Sequence, residues 1–116
     1  MIKTAINTIT AHFGEPVRRR DKVLAWAIND NFGLVVERNT PEKGHYANIW
    51  IPHFSYAKTL PNNIAKQYKA GQGRHSNTYA STGLEKGKPA IKIKVKNGME
   101  LADLISYVDA LKHFKA

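Results

Sequence analysis

The spacing of the apolar residues changes abruptly at Asn97, and that change limits the possible folds more than any other feature of the chain. Over residues 90–96 apolar and polar side chains alternate from Ile91 onward, with Ile91, Ile93 and Val95 set against Lys92, Lys94 and Lys96. Successive strand residues point to opposite faces, so this segment reads as a strand with one apolar and one lysine-bearing side. Beyond it, Leu101, Leu104, Ile105, Val108 and Leu111 recur at spacings of three and four, the stripe of an amphipathic helix. Asn97 and Glu100 stand at capping-box spacing, with Asn in place of Ser or Thr. A strand followed at once by a helix must bury both apolar surfaces, and the rest of the chain supplies the partners.

A second helical stripe opens the chain: Ile2, Ala5, Ile6, Ile9 and Phe13, stopped by Gly14 and Glu15-Pro16. Residues 23–28 are apolar, 29–33 are turn-rich and 34–37 favour β structure, which predicts two strands joined by a hairpin. A helix capped by Asp21 over 23–29 is the competing reading, because short apolar runs are ambiguous. Residues 46–51 alternate again, with Ala47, Ile49 and Ile51 on one face and Tyr46, Asn48 and Trp50 on the other. A short helix is expected from Leu60-Pro61 to about Ala70, with a long loop over 71–89. The expected order is α-β-β-β-α-β-α. This is an α+β fold in which a small antiparallel sheet, a three-stranded meander plus a fourth strand, is packed by the N- and C-terminal helices. The 116 residues fit one domain.

Charge points to a partner. The chain carries 18 Lys and Arg against nine Asp and Glu, a net +9. Nine of the basic residues and a single acid, Glu85, fall in 58–96, so nearly all the excess lies in one third of the sequence. Such a field attracts polyanions. The plain alternative is a surface kept soluble by lysine. Zero cysteines exclude disulfides, thiol catalysis and thiolate zinc sites. No apolar run reaches the length of a membrane span and the start lacks a signal-peptide pattern, so a cytoplasmic protein with no membrane partner is expected. A basic strand and loop, unlike a basic amphipathic helix, also argue against binding at a membrane surface.

Residues two apart on a strand lie roughly 6–7 Å apart on one side, so Lys92, Lys94 and Lys96 match the repeat of a nucleic-acid backbone; blocking an exposed edge is their alternative role. The loop 71–79 supplies Gln72, Arg74, His75, Ser76, Asn77 and Tyr79. Arg suits guanine, Gln and Asn suit adenine, and Tyr79, like Tyr68 before it, could stack on a base. Lys69, Lys86 and Lys88 flank this loop, while Arg18 and Arg20 could hold phosphates from a second direction. These residues predict sequence-specific nucleic-acid binding, with duplex DNA as the partner: lysines position the phosphates and Arg74, Gln72 and Asn77 read bases. The chain could also be a domain or subunit of a larger protein.

Two other function classes remain. His12, His45, His53, His75 and His113 show no metal-binding spacing, and no Asp or Glu precedes a Lys by two positions, so the common metal-dependent nuclease pattern is missing. Neither a P-loop nor a nucleophile elbow is present. No cofactor or metal is expected, and an enzyme is not the favoured reading. A metal-independent nuclease using His75 or His53 is the enzymatic alternative. The other is a basic protein-interaction or inhibitor module anchored by the aromatic stretch from Trp50 to Tyr56.

Overall fold

A computed structural model of the chain describes residues 1–113; Lys115, one of the 18 basic residues, lies outside them. Two helices, α1 (Ile2–Phe13) and α2 (Gly98–Lys112), enclose six strands in the sequence: β1 (Arg18–Arg19), β2 (Val23–Ala27), β3 (Gly33–Glu37), β4 (Ala47–Pro52), β5 (Ile64–Tyr68) and β6 (Ala90–Val95). All neighbours are antiparallel, in the order β1-β2-β3-β4-β6-β5. The architecture is therefore α+β, with an open six-stranded sheet where four strands were expected.

Both helices lie on one face of this sheet. Ile2, Ala5 and Ile9 of α1, and Leu101, Leu104, Ile105, Val108 and Leu111 of α2, are buried with Leu24, Trp26, Leu34, Val36, Ile49, Ile51, Ile91 and Ile93. The Trp26 indole is fully buried, and its Nε1 donates to the Gly14 carbonyl at 2.9 Å. One bond thus satisfies both a buried donor and a carbonyl just beyond the end of α1. The start of α2 is capped reciprocally: Asn97 Oδ1 accepts from Glu100 N at 2.9 Å and Glu100 Oε1 accepts from Lys96 N at 2.8 Å. That reproduces the capping logic with Asn, the return bond falling one residue earlier than in the standard box.

The segment expected to be a helix over 60–70 is instead β5, an edge strand on β6. Its five residues, Ile-Ala-Lys-Gln-Tyr, contain little to bury on a helical stripe. An isolated helix of that length is marginal, whereas β6 offers it a full row of backbone partners. Asn63 turns the chain into the strand at φ 64°, a left-handed conformation that Asn tolerates. A bulge between Ile64 and Lys66 then brings Lys66 opposite Lys92 and Tyr68 opposite Ala90. The competing helix over 23–29 is not formed; that segment is β2, paired to β1 and β3. β6 lies inside the sheet, so its lysines do not serve as guards of an exposed edge.

Candidate functional site

Among the described residues no α-helix covers the second sheet face. Its cover is segment 76–84, whose Ala80 and Leu84 are buried against Val23, Ala25, Val35, Trp50 and Ala90. Three hydrogen bonds fasten this segment and its exit to the sheet: Gly33 N to Thr82 O at 2.9 Å, Ser81 Oγ to Trp26 O at 3.3 Å and His53 N to Pro89 O at 3.1 Å. Gly33 makes the close approach possible, since a Cβ there would run into Ser81 Oγ and the Trp26 carbonyl oxygen. The result is a narrow ridge standing on the middle of the sheet.

Register places the cations on either side of that ridge. Arg18 pairs with Ala25, Ala25 with Val35, Val35 with Trp50, Trp50 with Lys92 and Lys92 with Lys66. Directly opposed residues of antiparallel strands share a face, so one row across the sheet runs from Arg18 at one edge to Lys66 at the other. With strands about 4.8 Å apart, Arg18 and Lys92 sit roughly 19 Å from each other. Lys92 and Lys94 project on the same side of β6, while Lys96 is exposed just beyond the strand's end, its backbone N bonded to Glu100. Arg20 follows at the turn into β2, exposed, its backbone bonded to Val23 and to the Arg38 side chain.

The lysines rest on aromatic rings. The ammonium of Lys66 lies 4.7 Å from the Tyr68 ring centre, that of Lys94 4.0 Å from Tyr46 and that of Lys92 5.6 Å from Trp50. Ring faces hold a cation without neutralising it. The two ion pairs among the described residues, His12–Asp109 and Arg19–Glu15, involve none of these lysines. Lys66 directly opposite Lys92 is a like-charge pair of the kind that destabilises a sheet.

Between the ridge and the strands lies a cavity of about 420 Å³, lined by Glu37, Trp50, Tyr68, His75, Asn77 and Lys92 among others. Glu37 Oε2 accepts from Trp50 Nε1 at 3.0 Å. His75 Nδ1 accepts from Asn77 N at 3.2 Å, so the proton of the neutral ring sits on Nε2, which is left to donate. A larger cavity of about 730 Å³, at the other end of the ridge, takes Lys69, Lys88, His53 and Phe54. Among the described residues no cluster of three or more metal-ligating side chains forms, and no helix is long and apolar enough to cross a membrane.

Several residues do other work than the sequence suggested. Arg74 was expected to read guanine, but its guanidinium is turned into the ridge. Nη1 donates to Thr78 Oγ1 at 2.8 Å, and Nη2 meets the carbonyls of Leu84, Glu85 and Lys88 at 2.9–3.1 Å. Burial lowers its pKa from the ordinary arginine value, against the opposing pull of Tyr79, Tyr68 and Glu85. Tyr79, expected to stack on a base, lies 5.0 Å from that guanidinium and donates its hydroxyl to Arg74 O at 2.8 Å. Both residues brace the ridge. Gln72 Oε1 accepts from Lys69 N at 3.1 Å and closes the turn there. Ser76 is exposed on the ridge, and Lys86 is exposed at the turn beyond it. Lys69 and Lys88 line the larger cavity and Lys92 the smaller one. Trp50, considered as an anchor for a protein partner, is only 4% exposed beneath Tyr68 and Lys92. The sequence reading missed Lys66, Tyr68 as part of the sheet face, and Glu37. Lys66 and Tyr68 stand two apart, the one available signal that they share a strand side.

No protein-family model, curated protein or solved structure matches the chain. Its site must be read from its own residues.

Proposed function

We propose that the protein binds nucleic acid, with double-stranded DNA as its partner, on the ridge-bearing face of the sheet. The observation that carries this reading is that Arg18, Lys92 and Lys66, at the two ends of one row across the sheet, form no ion pair with a carboxylate among the described residues, and that Lys92 and Lys66 are a like-charged pair directly opposed, an arrangement that costs stability. A phosphate backbone is the partner that turns this cost into binding, because each contact releases counterions. The ridge adds a reason to favour a duplex. It separates Arg18 from Lys92 by roughly 19 Å, and a major groove is about 12 Å wide between its two backbones. A ridge lying in such a groove would bring the cations to the phosphates on both sides. Base contacts then fall to Asn77, Ser76 and His75, with Arg74 positioning them.

Titration of labelled duplex at several salt concentrations tests this. Affinity should fall steeply and linearly on logarithmic axes, in proportion to the phosphates contacted. Absence of binding at low salt, or a flat salt dependence, would overturn it. Single-stranded DNA and RNA of the same sequence in the same titration check the duplex preference.

One observation favours strand cleavage as a second reading: His75 lines the same cavity as Glu37 and Lys92. For cleavage, water would attack the phosphorus with Glu37 taking its proton. The leaving oxygen would take a proton from His75 as the imidazolium, which must first release the Asn77 N–H from Nδ1. Supercoiled plasmid incubated with the protein in chelator should stay intact if the protein only binds and become nicked if it cleaves, with nicking lost in His75→Ala.

A further inference from the structure

The smaller cavity holds an arrangement that phosphate binding does not require. Glu37 brings a negative charge into the middle of the cationic face. Lys22 and Lys92 line the same cavity, yet neither forms an ion pair with it. Its Oε2 is fixed by the Trp50 indole, and Oε1 accepts no hydrogen bond among the described residues. A site built for phosphate alone would exclude such a group. A carboxylate is acceptor-only, so the ligand group that meets it must present donors.

The surroundings narrow the ligand. Trp50 and Tyr68, tilted at 43° with ring centres 5.3 Å apart, form an aromatic wall. Asn77 offers an amide, and His75 a fixed Nε2–H, from the ridge side. At about 420 Å³ the space is large enough for one planar base with its sugar. Among the bases, guanine alone sets two N–H donors next to each other on its pairing edge, at N1 and N2. Adenine and cytosine place a bare ring nitrogen beside their amino group, and thymine and uracil flank their one N–H with two carbonyls. Each of these would turn a lone pair toward the carboxylate.

We propose that this cavity receives a single guanine turned out of the bound nucleic acid, with Glu37 accepting from its N1–H and N2–H and Tyr68 against its ring. This rests on the nucleic-acid reading above and adds base selection by extrusion, in which the pairing edge is read only after the base has left the stack. Lys92 and Lys22 would hold the phosphates that flank the extruded nucleotide.

The test uses the full chain and short labelled duplexes that differ only in one unpaired central nucleotide, G, A, C, T or inosine. The duplex with unpaired G should bind roughly tenfold or more tightly than the others, the ratio of one good bidentate contact. Inosine, which lacks the N2 amino group, should lose most of that preference. Glu37→Gln keeps an acceptor for the Trp50 indole and should bring the five duplexes within about twofold, with the salt slope unchanged. Equal binding of all five by the unaltered protein, or a guanine preference that survives both inosine and Glu37→Gln, would overturn the base pocket and leave nucleic-acid binding standing. If no duplex binds at low salt, the nucleic-acid reading falls, and calorimetry with free guanosine monophosphate decides the cavity separately. Heat of binding lost in Glu37→Gln would support a guanine site, and its absence would overturn one.

Discussion

The two faces of the sheet are made by the same strands and meet opposite demands. On the helix side, Ile91, Ile93 and Val95 disappear completely beneath α1 and α2. On the ridge side, Lys92 and Lys94 of the same strand remain partly exposed, beside Lys66 and without carboxylate partners. Local choices on the first face agree with one another: alternation, caps and buried indole all favour the native state. Those on the second do not. Like charges are opposed, a carboxylate stands unpaired by its lysines, and a thin segment replaces a helix. A face that breaks the rules its neighbour keeps is where function is expected.

The largest effect should come from the helix side. Ile93→Ala empties a fully buried position and should cost about 2–5 kcal/mol in denaturant unfolding. Affinity of the remaining folded protein for duplex should stay unchanged. A change in affinity at constant folded fraction would show that the two faces are not separable.

Next is Arg74→Ala, which strips the donor from the carbonyls of Leu84, Glu85 and Lys88. Stability should fall by roughly 1.5–3 kcal/mol, the scale of hydrogen bonds to a charged group. Lysine should not rescue it, because an ammonium cannot replace a planar fork. Faster amide exchange confined to the ridge would accompany the loss. If Arg74→Ala were as stable as the parent and merely relaxed base preference, Arg74 would be a reading residue after all, as its sequence context suggests.

That reversal shows where the sequence was legible. The two helical stripes, the hairpin of β2 and β3, the strand β4 and the alternation of β6 follow from local spacing, and each appears where the spacing puts it. β5 was not legible because its stability is not local. Ile64, Lys66 and Tyr68 fit a strand only once β6 offers hydrogen bonds and a bulge corrects the register. The same holds at the site. Which lysines would be partly exposed on one face of β6 could be read from their period, but the direction of the Arg74 side chain depends on carbonyls ten to fourteen residues away. Glu37 carried no signal, since a single acid at the end of a strand is ordinary until Trp50 and the ridge are built around it.

Lys92→Ala comes third and separates binding from folding. It removes a side chain that sits half-exposed over Trp50, together with its repulsion of Lys66. Stability should stay within about 0.5 kcal/mol of the parent. Affinity for all duplexes should drop together, and the salt slope should shrink by about one. A sequence-dependent loss would move Lys92 from the phosphates to a base.

The last substitution is the most telling in sign. Lys66→Glu replaces a like-charge cross-strand pair by an opposite-charge one, since position 66 lies directly across from Lys92. Such a change is worth about 0.2–1 kcal/mol in a sheet, so the midpoint of thermal unfolding should rise slightly. Duplex affinity should fall, because a cation is lost and the remaining Lys92 is engaged by the new carboxylate. Stability and binding thus move in opposite directions from one substitution. A surface whose lysines serve only solubility would gain the stability and have no duplex affinity to lose. Parallel changes, or a rise in stability with binding intact, would remove the reason to see the ridge face as built for a polyanion.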